Sequence, residues 1–115
     1  MALHHCRPGE VSRLAAIGDQ ASRTAALVKT HSFEAIHLVL RAGDRLADHK
    51  VTGSMTLYCI DGHVRFDGGS PPELRGGDWL YLAPGTPHEV RAISDSSLLL
   101  TILFDASAER PATSA

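Results

Sequence analysis

The chain reads as an all-β domain, and three observations carry that reading. Seven short segments rich in Val, Ile, Leu and aromatic residues follow one another at 24–29, 33–41, 55–60, 63–67, 79–83, 87–93 and 97–104. Clusters of Gly, Pro, Asp and Ser separate them, and beyond residue 24 no stretch has convincing helical periodicity. Many short strands without intervening helices fold as a β-sandwich or barrel. At 115 residues the chain fits one domain, which buries roughly 60 to 70% of its unfolded surface.

In chain order, residues 1–9 have no periodicity and read as a loose tail, whose His4, His5 and Cys6 are soft-metal donors on an unstructured segment. From Glu10, the spacing of Val11, Leu14, Ala15 and Ile17 predicts a short N-terminal helix, stopped at Gly18. The tail and helix occupy 1–23, the β-barrel 24–105, and a polar, small-residue tail expected to be disordered 106–115. Asp61-Gly62 suits a tight type I′ hairpin, and Pro84-Gly85 a turn of fixed geometry.

The 97–104 segment is apolar on both faces. Leu98, Leu100, Ile102 and Phe104 alternate with Leu99, Thr101 and Leu103. One face lines the interior, and the surplus on the other predicts a homodimer, because monomers rarely expose a large contiguous apolar patch. Thirteen acidic and eleven basic residues give a formal charge of -2 without a long like-charge run, which speaks against nucleic acid and anionic membranes. The N-terminal residues given lack an apolar stretch of signal-peptide type and no run is long enough to span a bilayer, so neither a signal peptide nor a membrane span is expected. Cys6 and Cys59 sit in unlike contexts and do not form a disulfide framework, so a cytoplasmic protein with reduced thiols is expected.

Two glycine-punctuated blocks carry the functional signal. The first runs Gly43, five residues, His49, one, Val51, three, Met55, six, Gly62. The second runs from Gly77 through Trp79, Tyr81 and Ala83 to Gly85 and His88. Together they resemble the two conserved blocks of the cupin superfamily, over roughly 33–104. The resemblance implies a cupin-like jelly-roll β-barrel of the RmlC type, in which three histidines and a glutamate hold a metal. Here His49 and His88 stand at ligand positions, while Val51 and Met55 replace a histidine and the glutamate. Ala83 replaces a proline, and Ala92 stands where the family has asparagine.

Alternation gives the same residues a physical meaning. His49 shares a face with Val51; Met55 shares one with Leu57 and Cys59; His88 shares one with Val90 and Ala92. If these faces point inward, the interior is aliphatic with two imidazoles, a lining suited to a small molecule. The ligand-contact candidates are His49, Val51, Met55, His88, Trp79 and Tyr81, the two aromatics standing on one strand face where they can stack on a ligand at the barrel mouth. Tyr58 falls on the face opposite Met55 and Cys59, which suits an outer surface or interface.

Two imidazoles do not make a metal site, since catalytic centres take at least three protein ligands. His37 is the candidate third ligand beside His49 and His88, and Zn, Fe, Mn or Ni would accept such a set. These residues do not fix any cofactor. The expected function is binding of an unidentified small molecule in the barrel. A metal-dependent dioxygenase or isomerase using His49 and His88 is the alternative, and a structural or partner-binding protein with a filled barrel is a third. No carboxylate occurs among these candidate inward positions to orient either imidazole, and no strand-to-helix elbow presents a nucleophilic serine.

Overall fold

The computed structural model describes residues 6–14, 23–49, 53–67, 69–85 and 88–104, with the backbone alone at 47–49 and 88. Nine strands run β1 (Ala25–Lys29), β2 (Phe33–Leu40), β3 (Arg45–His49), β4 (Met55–Asp61), β5 (His63–Phe66), β6 (Glu73–Arg75), β7 (Trp79–Leu82), β8 (His88–Ala92) and β9 (Ser96–Leu103). They form a five-stranded sheet ordered β1-β2-β9-β4-β7 and a four-stranded sheet ordered β3-β8-β5-β6, all pairs antiparallel.

All seven segments expected as strands are strands. The other two, β3 and β6, escaped the apolar pattern because Leu46 and Leu74 are their only large apolar residues. No ladder joins the two sheets among the described residues, so the expected cupin-like β-barrel takes the form of two antiparallel sheets that do not close. The N-terminal helix is also corrected where it can be seen. Residues 10–14 carry no helix, and the rest of the predicted helix and the 106–115 tail lie outside the described residues. Glu10 serves a local turn instead, its carboxylate accepting the Arg7 N–H at 2.9 Å and its own N–H donating to the Arg7 carbonyl at 2.9 Å. No helix among the described residues is long and apolar enough to cross a membrane.

The core lies between the sheets. Leu38, Leu40, Met55, Leu57, Cys59, Leu82, Leu98 and Leu100 face it from the five-stranded sheet, and Val64, Phe66, Leu74, Val90 and Ala92 from the four-stranded one. Each large side chain removed from water here contributes about 1.5–3 kcal/mol. Strand β9 is central, hydrogen bonded to both β2 and β4, which explains why its sequence is apolar on both faces. Leu98 and Leu100 are buried in the core, whereas Leu99 and Leu103 belong to the outer face.

Apart from the β1–β2 and β5–β6 hairpins, every connection carries the chain from one sheet to the other. Asp61-Gly62 is one of these corners and not the predicted type I′ hairpin. Asp61 ends β4 in one sheet, His63 opens β5 in the other, and no non-glycine residue among those described has positive φ. The dipeptide signals a reversal equally well in both settings, and only the pairing of the flanking strands separates them. At this corner the Ser96 hydroxyl accepts the His63 N–H at 3.0 Å and donates to the Ser94 carbonyl at 2.7 Å. Gly62 lies against it at φ +108°, and a Cβ there would stand 2.5 Å from the Asp95 carbonyl oxygen. Pro84-Gly85 does form a turn, with Gly85 at φ +79°.

The corner gives a paired prediction for chemical denaturation. Gly62→Ala combines a left-handed backbone with a backbone clash and lowers stability by at least about 2 kcal/mol. Gly43→Ala, at φ +90° with nothing within 4 Å, costs only the conformational part, about 1–2 kcal/mol. Equal losses at both positions would remove the packing role of the corner.

Candidate functional site

β3 and β8 form one margin of the four-stranded sheet, β3 being its edge. Their register pairs Arg45 with Arg91, Leu46 with Val90 and, after an irregularity, His49 with His88. The two histidines singled out in the sequence are thus opposite each other on neighbouring strands. Such positions have Cβ atoms about 4.5–5.5 Å apart. Two-residue alternation along β8 places position 88 on the same face as Val90 and Ala92, both buried in the core.

The other candidates separate into three groups. Met55 opens β4, pairs with Leu82 and Ile102, and is 2% exposed, so it is a core residue of the aliphatic interior. Val51 lies outside the described residues. Trp79 and Tyr81 are 61% and 53% exposed, because alternation along β7 sends Leu80 and Leu82 inward and the two aromatics outward. They pair in register with Tyr58 and Thr56 and belong to the outer face of the five-stranded sheet, together with Leu99 and Leu103. Tyr58 takes the outward place expected for it.

His37 is also on this outer face. Its β2 neighbours Leu38 and Leu40 fill the core, while His37 pairs with Ala25 and Leu99. Its Nε2 is hydrogen bonded to Ser97 Oγ at 2.6 Å, and burial lowers its pKa. The sheet itself therefore stands between His37 and the core-facing side, and the expected third ligand is on the wrong face. Alternation along β2 puts His37 on one face with Phe33, Ala35 and Val39; the side that group faces is decided by tertiary packing.

The donors present do not fit the metal centre that the cupin resemblance implies. Two of the four ligand positions are Val51 and Met55, and Met55 offers a thioether packed among Leu82 and Ile102. Among the described residues no three His, Cys, Asp or Glu side chains converge to hold an ion. Cys59 adds no ready ligand. It is fully buried, and desolvation, helped by Asp61 and Asp78, raises its thiol pKa to about 11, so it stays protonated at neutral pH.

No family model and no curated protein matches the sequence. Solved structures do match the fold. A cupin superfamily protein from Desulfitobacterium hafniense superposes with a TM-score of 0.68 at 14% identity, covering 82% of this chain and 100% of its own. An RmlC-like cupin from Shewanella frigidimarina gives 0.64 at 18% identity, covering 91% and 94%. An RmlC-like cupin from Desulfovibrio desulfuricans gives 0.61 at 23% identity, covering 90% and 96%. The chain therefore has the RmlC-like cupin fold, which supports many chemistries and fixes none.

Two measurements check these placements. In native protein a thiol reagent modifies Cys6, which is only partly buried, and spares Cys59 until denaturant is added; rapid native labelling of both would contradict the packing. Because the folded state binds the His37 proton less readily than the unfolded chain, His37 favours folding fully above pH about 6.5. That contribution is lost as pH falls from there through the lowered folded pKa. Stability profiles of the wild type and His37→Gln should converge on acidification, and parallel profiles would deny His37 this role.

Proposed function

We propose that the protein is a binding module of the cupin fold that takes a small molecule at the end of the sandwich marked by His49 and His88. One observation carries this reading: two imidazole-bearing residues are paired in register at the margin of an interior whose buried side chains are apolar. Leu57, Phe66, Val64, Leu98 and Leu100 pack together in that interior, and the proposed ligand space is at the His49–His88 margin. Apolar walls with a few polar groups are the usual chemistry of a small-molecule pocket. An imidazole in its neutral form offers one donor and one acceptor with which to orient a bound molecule.

A second reading, a metal-dependent enzyme of dioxygenase or isomerase type, draws on the same pairing, since two histidines on adjacent strands can share one ion. It needs at least one more donor, for which His37 is unsuitably placed. The proposed module acts as a homodimer, joined through the outer face of the five-stranded sheet. That face presents Tyr58, Trp79, Tyr81 and Leu103, all more than a third exposed, and aromatic residues dominate the affinity of protein interfaces.

A fragment screen followed by amide and imidazole NMR tests the pocket. Bound fragments are expected to shift the His49 and His88 resonances and to lose affinity in His88→Leu; hits that leave both histidines unmoved would contradict the reading. Elemental analysis of protein purified without chelator separates the two functions. A stoichiometric transition metal that disappears in the His49→Ala/His88→Ala double variant would replace the metal-free module by the enzyme. For the dimer, sedimentation is expected to show Trp79→Arg raising the dissociation constant about 30-fold or more. A wild-type monomer at all concentrations would refute it.

A further inference from the structure

The outer face of the four-stranded sheet carries a feature that the interior pocket does not use. Arg45 on β3 is in register with Arg91 on β8, and Arg91 is in register with Arg65 on β5. Three guanidinium-bearing residues thus form a single row across three adjacent strands. All three are on the solvent side, because their strand neighbours Leu46, Val90, Val64 and Phe66 pack into the core. Like charges directly opposite one another weaken a sheet, so this row is unfavourable unless anions compensate it.

Among the described residues the compensation is incomplete. Glu89 pairs with Arg45, and Asp67 accepts from Arg65 Nε at 3.0 Å. Glu73, in register with Arg65 at the far end of the row, is engaged by His63 at 3.0 Å and Arg75 at 3.6 Å. Arg91, in the middle, has no carboxylate partner among the described residues. Arg45, Arg65, Asp67, Glu89 and Arg91 line a surface groove of about 170 Å³. The two outer arginines are braced by their carboxylates, and the central guanidinium is left to the groove.

We propose that this groove binds a phosphoryl group, with Arg91 gripping it through paired N–H donors and Arg45 and Arg65 flanking it. A tetrahedral phosphoryl group offers three terminal oxygens, matching three guanidinium groups arriving from neighbouring strands. A planar carboxylate offers two, which a single arginine fork already satisfies. The ligand is a small phosphorylated molecule. A nucleic-acid backbone needs an extended basic track, and here Glu89 and Asp67 line the same groove as the three arginines while the whole chain carries a formal charge of -2. The site is separate from the pocket at His49 and His88 and stands independently of it.

Titration calorimetry of the full chain at low ionic strength, with inorganic phosphate, phosphoserine and succinate as probes, tests the proposal. Arg side-chain Nε–H NMR identifies which guanidinium responds. Saturable phosphate binding is expected, with the Arg91 Nε–H resonance moving most. Arg91→Gln should weaken it at least about tenfold, and Arg91→Lys by less, because it keeps the charge but loses the fork. Arg75→Gln, on the same sheet but outside the row, should change affinity less than about twofold. These side chains are on the surface, so the variants are expected to fold, and circular dichroism checks this. The proposal is overturned by non-saturable binding, by an Arg75→Gln loss equal to that of Arg91→Gln, or by succinate binding as tightly as phosphate. Duplex DNA that binds with a steep salt dependence and displaces phosphate would overturn it too.

Discussion

The packing of β9 against the four-stranded sheet is the interaction on which the rest of this protein depends. Leu98 and Leu100 come from the strand that holds β2 and β4 together, and they share one buried cluster with Val64, Phe66 and Val90 from the other layer. Neither sheet can bury its apolar face alone, and each sheet's register is pinned by the need to keep those side chains inside. A one-residue slip of β8 would drive Val90 and Ala92 into water and bring Arg91 into the core. The same constraint fixes His49 opposite His88 and Arg91 between Arg45 and Arg65. The two proposed sites are thus opposite faces of one register.

Crossing between sheets at nearly every turn places strict demands on the corners. Short polar side chains meet them by accepting backbone N–H groups that no ladder satisfies. Asp44 accepts from Arg41 at 2.9 Å, Asp78 from Arg75 at 2.8 Å, and Asp95 from Ala42 at 2.8 Å. Ser96 does the same for His63 at the Gly62 corner, where its neighbours leave no room for a side chain. These residues read in the sequence as ordinary turn formers. Their actual task is to turn the chain from one layer to the other while leaving few polar groups unpaired.

Much of the fold was legible in the sequence because its signal is local. A strand such as 55–61, with Met55, Leu57 and Cys59 on one side and Thr56 and Tyr58 on the other, declares itself through period-two alternation. β3 does not, since Arg45, Asp48 and His49 surround its single leucine, and without β3 neither the His49–His88 pair nor the arginine row can be written down. Alternation also says which residues share a face without saying which way the face looks. That is why Trp79 and Tyr81, grouped correctly, are on the outside, and why His37 stands behind the sheet. The arginine row is visible only through cross-strand register, a relation between residues 26 and 46 positions apart that no local pattern encodes.

The measurement that bears most directly on this account is a cross-strand disulfide between positions 49 and 88. Positions paired on antiparallel strands have Cα atoms about 4.5–5.5 Å apart, within the reach of a disulfide. In a Cys6→Ser background, the His49→Cys/His88→Cys variant is predicted to oxidise to an intramolecular crosslink, with peptide mapping joining the β3 and β8 segments. A His49→Cys/Val90→Cys variant that crosslinks more readily, or failure of the first pair to crosslink in folded protein, would contradict the register on which both sites rest.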